Sequence, residues 1–268
     1  MEFPSTELPS ASLPANPPRC DFHEPAVNKR TIVTDSKRAS KTTGSAKPAA
    51  RPPHPLVGAV FVTGAAAPAQ LPDAGVAEIA FAGRSNAGKS TAINVLAGRT
   101  RLAFASRTPG RTQQINLFSL RSGGLVADLP GYGYAAVGKE LKRAWQEFLW
   151  HYITTRPTLV ALVLIVDSRH GLKELDIELL EGFVPSGRPV LILATKADKL
   201  NTTAQRAAVS GVRQQLIQQF PLGANNVKVQ LFSATARIGI EEAEATIAGW
   251  LSAMDSPAEQ ETRSAKLV

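Results

Sequence analysis

Gly83-Arg84-Ser85-Asn86-Ala87-Gly88-Lys89-Ser90 decides the fold of this 268-residue chain. The octapeptide fits G-x-x-x-x-G-K-[ST], a loop that wraps phosphate. It follows the apolar run Glu78-Ile79-Ala80-Phe81-Ala82 and precedes the helix-like run Thr91-Ala92-Ile93-Asn94-Val95-Leu96-Ala97. Strand, glycine loop and helix are the context such a loop needs. Glycines let the backbone close on an anion without a Cβ clash, and the helix N-terminus presents N–H groups to it. Lys89 is placed to reach the outer phosphates of a nucleotide, and the Ser90 hydroxyl to ligate Mg²⁺.

Two further motifs follow in order. Asp128-Leu129-Pro130-Gly131 ends the apolar run Leu125-Val126-Ala127. A carboxylate at a strand end suits Mg²⁺ held through a water, and Gly131 offers an N–H to a γ-phosphate. Thr195-Lys196-Ala197-Asp198 ends the run Pro189–Ala194 and resembles the guanine-specificity motif [NT]-K-x-D. The Asp198 carboxylate accepts two hydrogen bonds from the guanine ring N–H and exocyclic amine; adenine lacks that donor pair and would leave a buried carboxylate unpaired. Thr195 stands where Asn is common, which weakens one supporting contact. Phe232-Ser233-Ala234 follows the run Val227–Leu231, where a backbone loop over the base is expected.

With these residues in register, the chain resembles the EngB (YihA/YsxC) family of bacterial GTPases, in the Era-like branch of P-loop proteins. FAGRSNAGKS (81–90), RTPGRTQQINLF (107–118), DLPGYGYA (128–135), LIVDSRHGLKELD (164–176) and TKADKL (195–200) carry the resemblance, which runs from Leu56 to Met254. It implies GTP bound with Mg²⁺, hydrolysis to GDP, and a role in assembly of the large ribosomal subunit, and through it in cell growth and division. It also implies that Gly110, Arg111, Thr112, Gln113 and Gln114 belong to a first switch loop near 100–114, with Thr112 a Mg²⁺ ligand and catalytic alongside Lys89 and Gly131. Asn86 matches the P-loop asparagine that binds K⁺ in related Era-like GTPases, so K⁺ near Asn86 is expected. Tyr132 stands where Ras-like enzymes carry a water-orienting glutamine. A phenol does not replace that amide, so the expected intrinsic hydrolysis is slow, with Gln113 or Gln114 the other candidates for the water.

The fold expected is α/β: a P-loop NTPase three-layer α/β/α sandwich whose mainly parallel sheet holds one antiparallel strand. Strands are expected at 58–63, 78–83, 115–120, 125–129, 160–166, 190–195 and 227–232; helices at 88–98, 139–156, 173–184, 202–219 and 240–253. Arg121-Ser122-Gly123-Gly124 reads as a hairpin turn giving the single antiparallel pair. Ligands of such sheets sit beyond the carboxyl ends of the strands, where all the motifs fall. Leu141, Trp145, Phe148, Leu149 and Tyr152 form a stripe at helical spacing and read as core. Trp150 and His151 lie off it and are candidates for partner contact. Lys139, Lys142 and Arg143 fit a solvated face or an RNA contact equally. His170 has no nucleophile beside it and reads as structural or as a loop contact.

Residues 1–55 are rich in Pro, Ser, Ala and Thr without apolar periodicity, so a disordered leader is expected; 56–254 form the GTP-binding domain and 255–268 a flexible tail. The chain carries a formal net charge of +8, and positions 28–51 hold seven Lys or Arg against Asp35 alone. That suits an RNA-facing protein, and a merely solubilising leader with no partner accounts for it equally. No signal peptide and no membrane-length apolar run is present, and the single Cys20 fits a reducing cytoplasm. A cytoplasmic monomer is expected, whose partner is the large-subunit precursor. Two function classes stay open: a GTPase whose cycle times docking and release, or a binding module gated by GTP. Asp198 argues against an ATPase.

Overall fold

The computed structural model describes residues 56–73, 75–103, 114–121, 123–133 and 139–254, without the side chains of 139–146 and 254. Seven strands run through them: β1 (Val60–Ala65), β2 (Glu78–Gly83), β3 (Ile115–Ser119), β4 (Leu125–Asp128), β5 (Leu159–Asp167), β6 (Val190–Thr195) and β7 (Val227–Leu231). Five α-helices are interleaved: α1 (Lys89–Leu96), α2 (Lys139–Thr155), α3 (Glu174–Phe183), α4 (Thr202–Gln219) and α5 (Ile240–Met254). The strands form one sheet in the order β1-β3-β4-β2-β5-β6-β7.

β2 is parallel to β4 and β5, and β6 to β5 and β7. β3 alone runs the other way. The hairpin expected from the 121–124 turn pairs it with β4, but β1 lies along its other edge and makes a second antiparallel pairing. β1 starts two residues later than its sequence pattern predicts. A turn closed by the Ala59 N–H on the Leu56 carbonyl (3.2 Å), with Gly58 at φ +82°, occupies those residues.

Every residue of β2 and β6, and all of β5 but Asp167, is buried. Unbroken apolar strands belong to a sheet covered on both faces. Alternate residues supply two cores. Ala80, Leu162, Leu164 and Ile192 face α2, α3 and α4 through Tyr152, Leu180 and Leu216. Phe81, Val163, Ile165 and Leu193 face α1 and α5 through Ile93, Leu96 and Ile247. The expected α2 stripe is buried at Phe148, Leu149 and Tyr152, joined by Ile153; the side chains of Leu141 and Trp145 lie outside the described residues.

A charge sits at the base of this frame. Glu78, at the start of β2, is fully buried. Its carboxylate accepts from Tyr152 Oη (2.7 Å), Thr158 Oγ1 (2.7 Å), and Arg156 Nε (3.0 Å) and Nη2 (2.5 Å). It ties the base of the strand that carries the phosphate loop to the end of α2 and the entry to β5. Burial, and the Glu78 charge after it, push the Tyr152 phenol well above its ordinary range. Among the described residues no helix is long and apolar enough to cross a membrane.

Candidate functional site

The candidate loop begins inside the sheet. Gly83 ends β2, and a Cβ there would meet the Ile165 carbonyl oxygen of β5 at 2.7 Å, so strand packing alone demands glycine. The chain then turns: the Ala87 N–H donates to the Arg84 carbonyl (3.1 Å), Asn86 sits at φ 64° and Gly88 at φ 101°. A positive φ of that size suits glycine and strains other residues. α1 starts at Lys89, and Ser90 is half-buried in its first turn. The Lys89 ammonium is folded inward and pairs with the buried Asp128 carboxylate at the end of β4. The first two motifs are thus in direct contact.

Past Asp128 the backbone lies against the loop. The Leu129 N–H donates to the Phe81 carbonyl (2.9 Å) and the Ser85 N–H to the Tyr132 carbonyl (2.9 Å). A Cβ on Gly131 would come within 3.2 Å of Ser85 Cα, so a larger residue there would have to push the loop backbone aside. Tyr132 turns away from the loop into the body of the protein. It is buried, and its hydroxyl donates to Asp176 Oδ1 (2.6 Å). Asp176 Oδ2 accepts the Lys173 N–H (2.9 Å), which caps α3. Burial raises the Asp176 carboxyl above its ordinary range, against the lowering pull of these hydrogen bonds. Burial first, then Asp176, raises the Tyr132 phenol.

The third motif holds the loop from the opposite side. Thr195 Oγ1 lies 2.5 Å from the Ala87 carbonyl and 3.0 Å from that of Val166. One hydroxyl hydrogen thus bridges the loop and β5. Lys196, left-handed at φ 58°, donates from Nζ to the Asn86 carbonyl (2.7 Å) and pairs with Asp167 Oδ2 (2.9 Å). Asp167 also accepts Arg169 Nε (2.9 Å) and Nη2 (2.6 Å). Its partial burial raises its carboxyl, but the hydrogen bonds from Arg169 and Lys196 outweigh that and hold it well below the usual carboxylate range. The Ala197 N–H donates to the Phe232 carbonyl (3.2 Å). Asp198 Oδ1 accepts from Ser233 Oγ (2.7 Å), and Lys199 stands 3.2 Å from Oδ2. The Ser233 hydrogen bond leads in lowering the Asp198 carboxyl. Phe232 and Ser233 are buried and Ala234 half-buried.

Gly83–Ser90, Asp128–Gly131, Thr195–Asp198 and Phe232–Ala234 are therefore gathered at the carboxyl edge of the parallel strands. Gly110, Arg111, Thr112 and Gln113 lie outside the described residues; Gln114 is exposed beside the start of β3. Sequence reasoning missed two carboxylates, Asp167 and Asp176. Asp167 ends β5 as Asp128 ends β4, and that shared position could have signalled it. Tyr132 and Asp176 are 44 residues apart, and nothing local announces their bond. Beside the loop a cleft of ≈ 310 Å³ is lined by Arg84, Asn86, Asp167, Arg169, His170 and Lys196, so His170 borders the site.

The donor set suits Mg²⁺. Among the described residues no three His, Cys, Asp or Glu side chains gather to form an all-protein cage. A serine hydroxyl and one strand-end carboxylate are hard oxygen donors of the kind that hold Mg²⁺ together with substrate phosphates.

Residues 78–196 match the family described as 50S ribosome-binding GTPase. The chain is 50% identical over 193 residues to the probable GTP-binding protein EngB of Azoarcus sp. (strain BH72), covering 72% of this chain and 91% of that one. It is 53% identical over 181 residues to the protein of that name from Aromatoleum aromaticum, covering 68% and 82%. The crystal structure of a probable GTP-binding protein EngB has the same fold, with a TM-score of 0.51 at 23% identity, over 66% of this chain and 99% of that one. Identity at this level, across nearly the whole length of such relatives, means that the chain belongs to the EngB family of GTP-binding proteins and is a GTPase.

Proposed function

We propose that the chain is a nucleotide switch in assembly of the large ribosomal subunit, and through it in cell growth and division. The 56–254 domain would bind GTP; the basic leader, 1–55, would add attraction for RNA; 255–268 would be a tail. The observation that carries the nucleotide half is the cross-tie of the motifs: Lys196 and Thr195 hold the loop carbonyls while Ser233 fixes Asp198 two residues on. The ribosomal half is supported by the family description.

In this reading the N–H groups of Asn86, Gly88, Lys89 and Ser90, with the Lys89 ammonium, cradle the phosphates, and Asp198 takes the guanine edge. Ser90 and Thr112 would hold Mg²⁺ directly and Asp128 through a water; when bound, it draws negative charge from the β- and γ-phosphate oxygens. The Lys89–Asp128 pair already puts the cation that phosphate needs next to the anion that Mg²⁺ needs. Water forms a bond to the γ-phosphorus while the bond from that phosphorus to the β–γ bridging oxygen breaks. The electron pair leaves on GDP, and the water's protons pass to the released phosphate and solvent. The Gly131 N–H and Lys89 stabilise the charge that develops. Tyr132, seated on Asp176, is not placed to orient water. This supports slow intrinsic hydrolysis, speeded by the partner or by K⁺ near Asn86, with Gln113 or Gln114 positioning the water. The protein acts as a cytoplasmic monomer on the precursor particle.

The test is co-sedimentation with purified large ribosomal subunits at fixed moderate salt, in GDP and in a non-hydrolysable GTP analogue. Pelleting confined to the analogue is expected. Equal or absent pelleting in both would remove the ribosome and leave the GTPase.

A further inference from the structure

A second surface lies between α2 and α3. Tyr132, Leu149, Ile153, Leu175 and Leu179 line a small apolar cleft of ≈ 80 Å³, and Trp150 forms its lip. Trp150 is 48% exposed, although it sits on a helix whose neighbouring residues Leu149, Tyr152 and Ile153 are buried. Its ring lies close against α3 because residue 182 is glycine: a Cβ there would stand 2.8 Å from the indole. A large aromatic held against a helix and half in water beside an apolar cleft is built like an interface anchor. Trp150 was also one of the two α2 residues set apart by the helical pattern.

The surrounding charge selects the occupant. Glu174, Glu178 and Glu181 are exposed on α3 at i, i+4 and i+7, and so share one face beside the cleft. Among the described residues none of the three is in an ion pair or a side-chain hydrogen bond. A chain of net charge +8 thus carries three exposed glutamates on one face of α3, of which Glu178 lines the cleft beside Trp150. Nucleic acid would meet like charge here.

We infer that the α2–α3 cleft docks a Lys/Arg-rich protein segment bearing one apolar anchor side chain, which enters beside Trp150 while its cations face Glu174, Glu178 and Glu181. For the source of that segment, a basic protein of the large subunit, the inference rests on the ribosomal reading. The cleft wall is Tyr132, next to Gly131 and joined through its carbonyl to the Ser85 N–H. An occupant therefore presses on the backbone that touches the phosphate loop.

The test places a photo-crosslinking p-benzoylphenylalanine at Thr154, one turn from Trp150, in the full chain. It is irradiated with salt-extracted large-subunit proteins and, separately, with protein-free ribosomal RNA. The expected adduct is a basic peptide containing an apolar residue, identified by mass spectrometry. Its yield should fall at least tenfold in the E174K/E181K background, with GTP binding as the control for folding. Adducts to RNA alone, no adduct, or a yield indifferent to charge reversal would each overturn the inference. Sedimentation of the unmodified chain with intact subunits reports on the ribosomal reading separately: binding without the adduct removes only the cleft, and the adduct without binding removes only the ribosome.

Discussion

Replacing Glu78 by Gln keeps the shape of the side chain and removes its charge. The wild-type carboxylate is fully buried and accepts from one guanidinium and two hydroxyls. Arg156 is only 13% exposed, so the substitution leaves a nearly buried cation without its anion. Breaking a buried pair in this way costs about 3–5 kcal/mol. Tyr152→Phe deletes a single hydrogen bond to the same carboxylate and should cost less, about 1.5–3 kcal/mol. Against a total stability on the order of 5–15 kcal/mol the first loss is large. Each kilocalorie is worth about 2–4 °C in a domain of this size, so E78Q should melt roughly 6–20 °C lower. The assay is urea unfolding at 25 °C and pH 7 without nucleotide, with the denaturant slope checked for constancy. Glu78 and Gly83 stand at opposite ends of β2, about 17 Å apart at the rise of a strand, so GTP affinity measured on the folded variant should be unchanged. An E78Q loss below about 1 kcal/mol, or a Y152F loss larger than the E78Q loss, would refute the view of Glu78 as a charged hub.

Asp198→Asn should weaken GTP binding by about 10² or more in a fluorescent-nucleotide titration, because an amide cannot accept both guanine N–H groups. Thr195→Val removes the hydroxyl that faces the Ala87 and Val166 carbonyls; a loss of about 1–3 kcal/mol in urea unfolding is expected, with Thr195→Ser close to wild type. Gly83→Ala forces a Cβ to within 2.7 Å of the Ile165 carbonyl and should cost about 1–3 kcal/mol. Asp176 is raised by burial, so the folded state holds that proton more tightly than the unfolded chain does. Its contribution is complete below the unfolded value of about 3.9 and is lost as pH rises through the folded value. Wild type should therefore lose stability relative to Asp176→Asn between about pH 4 and neutrality, and a difference in urea midpoints that is flat with pH would count against this.

The elements that carry local patterns were legible. β2, β5 and β6 are continuous apolar runs ended by Gly83, Asp167 and Thr195, and all three stand within a residue or so of their expected bounds. Their glycine, carboxylate and hydroxyl at a shared edge follow from strand direction alone. What was not legible depends on partners distant in sequence. The donors to Glu78 lie 74–80 residues away, so a glutamate opening an apolar run reads as a solvated strand end. The second pairing of β3 depends on β1, whose own alternation is weak: Val60, Phe61 and Val62 are all exposed at the sheet edge. Tyr132 was read for the glutamine it replaces; its inward turn is set by Asp176, on another helix. The first-switch residues Gly110–Gln113 lie outside the described residues.

Thr195 bears on how base and phosphate recognition are joined. Its place in the motif suggested a weakened contact, yet its hydroxyl meets the Ala87 carbonyl while the next residue, Lys196, meets that of Asn86. Within a planar trans peptide the carbonyl and the following N–H point in opposite directions. Holding the Ala87 carbonyl toward β6 therefore turns the Gly88 N–H the other way, toward the mouth of the loop. The Ala87 N–H, by contrast, is held inside the loop by the Arg84 carbonyl. In the proposed reading the Gly88 donor that a phosphate needs is thus oriented by the strand whose continuation carries Asp198, and Ser233 fixes Asp198 in turn. Donors aimed in advance lose little freedom on binding, which is where preorganised sites gain over flexible ones. In the proposed reading, base reading and phosphate cradling are then one hydrogen-bonded unit across β6. A substitution at Thr195 should accordingly weaken GDP and GTP alike, whereas one acting through Gly131 should discriminate between them.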